Sequence, residues 1–91
     1  MTDLTAQMSN YRGWWFLYVV LYGASHWPEH NWGKGAAIPT PAERAAALDA
    51  LGYEVPDDAE WTWIEDSEVP GDPSSPVRLS ARITVRAKET P

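Results

Sequence analysis

His26 and His30 flank Trp27-Pro28-Glu29 and carry the His-x3-His spacing that, on a helix, aims two imidazoles at one metal ion. Pro28 lies inside that interval, where it breaks the helix the spacing needs. The chain has no cysteine, and Glu29 is the one further donor close by in sequence, so no metal site is expected. Acid–base chemistry would have to come from Glu65, Asp66 and Glu68. Neighbours in a strand point to opposite faces, so Glu65 and Asp66 cannot share a pocket there. Asp66 and Glu68 can, but the basic segment Arg78 to Lys88 is expected to lie opposite them. Ser25 beside His26 lacks the Gly-x-Ser-x-Gly setting of a strained nucleophile, and Gly33-Lys34-Gly35 lacks the spacing of a phosphate loop. No catalytic, cofactor-binding or metal-binding residue is expected. The chain reads as a binding or regulatory protein, with a small enzyme as the alternative class.

The chemistry on offer is aromatic: six tryptophans, four tyrosines and one phenylalanine in 91 residues. Base stacking between arginines would be one use of such rings. The formal charge of −6 gives the wrong field for a phosphate backbone, so no nucleic-acid partner is expected. The rings instead suggest a protein partner, either another chain or a second copy in a homodimer. Along Trp14 to Tyr22, Trp15, Leu17, Val19 and Leu21 point one way and Trp14, Phe16, Tyr18, Val20 and Tyr22 the other. One helix can cover only one of these sets. The expected partner surface is Trp14, Tyr18 and Tyr22, with Trp27 and Trp32 from the following loop; the alternative is that residues 23–39 fold Trp27 and Trp32 over part of this face and leave no partner surface there.

These rings must be positioned by one small domain, residues 1–91, expected to be α+β with the order ββαββ: a four-stranded, antiparallel-rich sheet with one helix on one face. Leu4, Ala6 and Met8 alternate with Thr5, Gln7 and Ser9, the period of a half-buried strand. With Trp14 to Tyr22 they form a first hairpin over 3–22, turning at Asn10 to Gly13. Residues 23–39 read as a Trp-containing loop, with room for a short strand around His30 to Trp32. Thr40-Pro41-Ala42-Glu43 is a capping box with proline at the first helical position, and Gly52 is a left-handed C-cap, so the helix spans 40–52. Its apolar stripe is expected to be Ala45, Ala47, Leu48 and Leu51, with Arg44 and Asp49 away from it.

A second hairpin spans 60–87, and a frayed tail covers 88–91. In that hairpin Trp61 and Trp63 oppose Thr62, Ile64 and Asp66, while Val77, Leu79, Ala81, Ile83 and Val85 oppose Arg78, Ser80, Arg82, Thr84 and Arg86. Asp57 to Asp72 holds seven acidic residues and no basic one, against four basic residues from Arg78 to Lys88. Cross-strand ion pairs are expected to fix the register, at roughly 0.2–1 kcal/mol each. The longest apolar run, Trp14 to Tyr22, is too short to cross a bilayer, and the start Met-Thr-Asp-Leu-Thr-Ala-Gln lacks the pattern of a signal peptide. A cytoplasmic protein without a membrane partner is expected.

Ile38 to Glu54, Trp61 to Glu68, Pro76 to Leu79 and the Trp27-Pro28-Glu29-His30 segment resemble a family of small actinobacterial proteins of unknown function, over nearly the whole chain. A second resemblance covers about a quarter of it. Trp15 to Tyr22 leading into Ser25-His26-Trp27-Pro28 is similar to the strand and Ser-Leu-Trp-Pro of the MbtH-like proteins, accessory chains that bind adenylation domains of nonribosomal peptide synthetases. The later Pro-x-Gly-Trp of that family is missing, and a second hairpin follows the helix. That resemblance would imply an adenylation domain as partner.

Overall fold

The computed structural model describes residues 3–11, 13–35 and 37–88. Its elements are β1 (Leu4–Tyr11), β2 (Trp14–Val19), β3 (Glu29–Lys34), α1 (Pro41–Leu51), β4 (Tyr53–Glu54), β5 (Thr62–Ser67) and β6 (Val77–Ala87). The strands form one antiparallel sheet in the order β3-β2-β1-β6, with β4 and β5 both paired to β6. Pro76 accepts a hydrogen bond from Glu68, and the Lys88 amide donates to Gly52. Alternate residues of a strand turn their amides to the same edge, so β5 and β4 follow one another along the outer edge of β6.

The fold is α+β with an antiparallel sheet, but six strands replace the expected four. The first addition, β3, lies inside residues 23–39. It is an edge strand of polar sequence, Glu-His-Asn-Trp-Gly-Lys, and an edge strand that buries little needs no apolar alternation. The second, β4, has only two residues. It arises because Gly52, at φ 95°, reverses the chain alongside the end of β6. β2 also ends at Val19, before Tyr22. There the Leu21 carbonyl turns to accept from Ala24 N (3.3 Å) and from Trp27 Nε1 (2.8 Å). Lys88 is anchored by its amide on Gly52 and by an ion pair with Asp49, while the rest of the expected tail, 89–91, lies outside the described residues. This lysine supplies the cation that the last turn of α1 lacks.

Period-two alternation determines what is buried. Ala6 and Met8 of β1, Trp15, Leu17 and Val19 of β2, and Ala81, Ile83 and Val85 of β6 form the core with Leu48 of α1. The two central strands carry the small residues Ala6 and Ala81 on this face. Rings from the two flanking strands meet on this face: Trp15 of β2 and Trp63 of β5 pack edge-on, with ring centroids 6.4 Å apart.

The helix presents a different stripe from the expected one. Arg44, Ala47 and Leu48 are buried, Leu51 packs on the core, and Ala45 is exposed. Positions 44, 47, 48 and 51 share one helical face, and the stem of an arginine can fill an apolar site. Only 6% of Arg44 is exposed. Its guanidinium lies 4.8 Å from the Trp61 ring centroid and 5.6 Å from that of Trp63. Nε and Nη1 are buried without a hydrogen-bond partner, and desolvation lowers the arginine's pKa.

The expected ion pairs across the second hairpin are also replaced. Asp66 faces Arg78 in the register, but the Arg78 guanidinium lies over the Tyr11 ring, 5.8 Å from its centroid. The ion pairs among described residues join Glu54 to Arg86 (3.4 Å) and Asp49 to Lys88.

Both outer edges are blunted. β3 runs one residue longer than β2 between the Phe16–Asn31 and Trp14–Lys34 pairs, a bulge at which Gly33 takes φ 91° and gives its amide to Asn31 Oδ1 (2.7 Å). On β5 the outward amide of Ser67 is taken by Asp66 Oδ1 (3.0 Å).

The capping box is complete: Glu43 N donates to Thr40 Oγ1 (3.1 Å) and Thr40 N to Glu43 Oε1 (2.9 Å). Thr40→Ala is expected to cost about 1 kcal/mol in urea melts, with an unchanged midpoint as the contrary result. Arg44→Met is expected to leave that midpoint unchanged or raise it, because an apolar stem removes a desolvated charge. A loss beyond about 2 kcal/mol would show that the ring contacts outweigh desolvation.

Candidate functional site

The second face of the sheet is covered by no helix or strand of the described residues, and the register lays its side chains out in rows. One row runs Thr62, Arg82, Gln7, Tyr18, Glu29, and the next Ile64, Ser80, Ser9, Phe16, Asn31. The face has two halves. The β5–β6–β1 side is polar, with Arg82, Ser80, Gln7 and Ser9, and the β2 side carries Trp14, Phe16 and Tyr18 at alternate positions.

The rings form two stacks. Trp14 and Phe16 lie 6.4 Å apart at an interplanar angle of 16°, and Tyr18 and Trp27 lie 5.8 Å apart at 24°. Trp27 comes from the segment after β2 and is held by its indole N–H on the Leu21 carbonyl. It still exposes 44% of its surface, and Trp14 37%. Beside the second stack opens a concavity of about 550 Å³, lined by Tyr18, Ala24, Ser25, His26, Trp27 and Glu29.

Of the five residues expected to form the partner surface, Trp14, Tyr18 and Trp27 share this face. Tyr22 is 94% exposed in the turn after β2, off the sheet. Trp32 is on the other side. It meets His30 edge-on at 4.7 Å, His30 pairs with core-facing Leu17, and Trp32 packs against the core. Phe16, Gln7 and Arg82 join the face, and the period-two pattern of β1, β2 and β6 was the signal for all three.

The candidates for catalysis are dispersed. His26 Nδ1 shares a 3.0 Å hydrogen bond with Ser25 Oγ in the exposed loop, while His30 sits on the helix side of β3. Among the described residues, no three histidine, aspartate or glutamate side chains are grouped so as to hold a metal ion. Glu65 pairs with Leu79 and Asp66 with Arg78, so the two carboxylates point to opposite faces. Asp72 accepts from the Ser74 hydroxyl (2.6 Å) and amide (3.0 Å), which holds its carboxyl below the usual range and pins the turn between β5 and β6. Among the described residues, no helix is long and apolar enough to cross a membrane.

The two faces of β2 should respond differently to substitution. Leu17→Ala, at a fully buried site, is expected to cost about 2–5 kcal/mol. Tyr18→Ser is expected to cost about 1 kcal/mol, chiefly its stack on Trp27. Paired urea melts check this, and equal losses would make Tyr18 a core residue.

A family model described as "Family of unknown function (DUF6303)" matches residues 2–91. No curated protein and no solved structure matches the chain. The match spans nearly the whole sequence, and the chain therefore belongs to the DUF6303 family of unknown function.

Proposed function

We propose that this chain is a non-catalytic, cytoplasmic protein-binding module that engages its partner through the uncovered sheet face. The observation that carries this reading is the pair of ring stacks, Trp14–Phe16 and Tyr18–Trp27, standing where no element of the described fold covers them. Tryptophan and tyrosine are the residues most often found at the energetic centres of protein interfaces, where a large rigid ring buries area at little cost in rotamer entropy. Exposed apolar patches of this kind mark interaction sites. The polar half of the face is the sort of rim that keeps such a patch soluble.

The test is a double variant, Phe16→Ser with Tyr18→Ser, compared with the unaltered chain after circular dichroism has shown both folded. Affinity capture from the native host should recover protein partners with the unaltered chain and lose them with the variant. Sedimentation velocity at micromolar concentration reports on a second copy as partner, through a dimer that the variant abolishes. Identical capture by both chains, with identical sedimentation, would overturn the proposal.

A further inference from the structure

We infer that the concavity beside the Tyr18–Trp27 stack is a receptor for an arginine side chain of the partner protein: the guanidinium lies flat on the open face of Trp27 and gives its N–H groups to the Glu29 carboxylate. The inference rests on reading the uncovered face as a protein-binding surface and names the group that one hollow of that face selects.

Three side chains build the site. The Pro28 carbonyl accepts from Val19 N (3.0 Å) and Glu29 pairs with Tyr18, so the segment is already extended as it enters β3. Trp27 and Glu29 stand on either side of Pro28 and project to the same side, the one that bears the Tyr18 ring. Tyr18 lies against one face of the indole, at an interplanar angle of 24°, and Trp27 still exposes 44% of its surface. The bond from the indole N–H to the Leu21 carbonyl fixes that ring in place. Tyr18, Trp27 and Glu29 all line the hollow of about 550 Å³.

Charge selects a cation. Carboxylates border three hollows along the uncovered face: Glu60 the first, Asp66 the second and Glu29 the third. Arg82 shares the lining of the first two, and Arg78 that of the second. Among the described residues, no lysine or arginine lines the third. There the Glu29 carboxylate makes neither an ion pair nor a hydrogen bond with any described residue. His26 lines the same hollow, with its Nδ1 engaged by Ser25 Oγ (3.0 Å). The chain's formal charge of −6 adds a long-range attraction for a basic partner.

Ring geometry selects among cations. A quaternary ammonium is held by a cage of ring faces, whereas two near-parallel rings leave one open indole face here. The lysine ammonium is a compact, strongly hydrated point charge and gains little in an exposed hollow. A guanidinium is flat, weakly hydrated and forked, so it stacks on a single ring and makes paired bonds to a single carboxylate. The protein already packs guanidinium groups on rings, with Arg44 4.8 Å from the Trp61 ring centroid and Arg78 5.8 Å from that of Tyr11. A second copy of the chain brings the same net negative charge to the interface, and a nucleic acid meets the wrong field.

The test uses the full chain, 15N-labelled, titrated with acetyl-Gly-Arg-Gly-amide and with its lysine and citrulline counterparts. Citrulline keeps the planar head of arginine and loses the charge. The arginine peptide should shift the Trp27 indole N–H and the Glu29 amide at millimolar concentration. It should bind about five-fold tighter than the citrulline peptide, the size of an exposed ring contact and ion pair together, with the lysine peptide between them. Glu29→Gln should weaken the arginine peptide about three-fold and leave the citrulline peptide unchanged. Trp27→Leu, followed at the Glu29 amide, should remove the preference for arginine over lysine. Citrulline or lysine binding as tightly as arginine, or arginine binding indifferent to Glu29→Gln, overturns the inference while the aromatic binding surface stands. If no peptide shifts these signals, the inference falls alone, and capture with the Phe16→Ser, Tyr18→Ser variant decides the broader reading separately.

Discussion

The pairing of β1 with β6 organises this protein. It joins segments from opposite ends of the chain, Leu4 beside Val85 and Ser9 beside Ser80, and so converts two hairpins into one sheet. It also brings Ala6 and Ala81 to the centre of the helix-side face, where small side chains leave room for rings from both flanks. On the reverse side the same register aligns Gln7 with Arg82, and the β1–β2 pairing sets Tyr18 on the other side of Gln7. A slip of one residue would exchange the faces of β1 and put Gln7 and Ser9 into the core. Core and candidate site therefore share β1, whose two ladders set both.

Much of this was legible in the sequence because period two is unambiguous where one face is buried. The alternation in β1, β5 and β6, the division of β2 into two faces, and the capping box with Gly52 can each be read directly from the residues. The parts that could not be read have a common cause: structure imposed by neighbours. β3 and β4 pair along strands already in place and bury too little to need an apolar signature. A loop has no periodicity from which to derive a face, so the sequence alone does not separate Trp32 from the partner surface. Arg44 was read by its charge, and the stripe it completes emerges only once Trp61 and Trp63 are known to stand beside it.

The six tryptophans are divided by the one helix. Trp15, Trp32, Trp61 and Trp63 lie on the side that α1 covers, where Arg44 closes the cluster in place of an aliphatic residue. Trp14 and Trp27 remain on the other side. A cation in the first turn of a helix opposes the helix dipole and, when buried, loses its hydration. Its position is explained by the ring faces on either side, which attract it electrostatically where water cannot. The helix-side surface is thus closed largely by its own residues, with Arg44 Nε and Nη1 left there without a hydrogen-bond partner, and the stacks Trp14–Phe16 and Tyr18–Trp27 stand on the reverse side.

The blunted edges bear on the kind of assembly this chain can enter. A free strand edge is an open-ended site, since each strand added presents a new edge and growth has no natural stop. A face is a closed site that is filled once covered. With the Ser67 amide occupied and β3 bent at its bulge, polymerisation by strand addition is obstructed at both ends of the sheet. Complexes of this protein should have fixed stoichiometry, set by the geometry of two outer strands, one of which, β3, pairs directly with the ring-bearing β2.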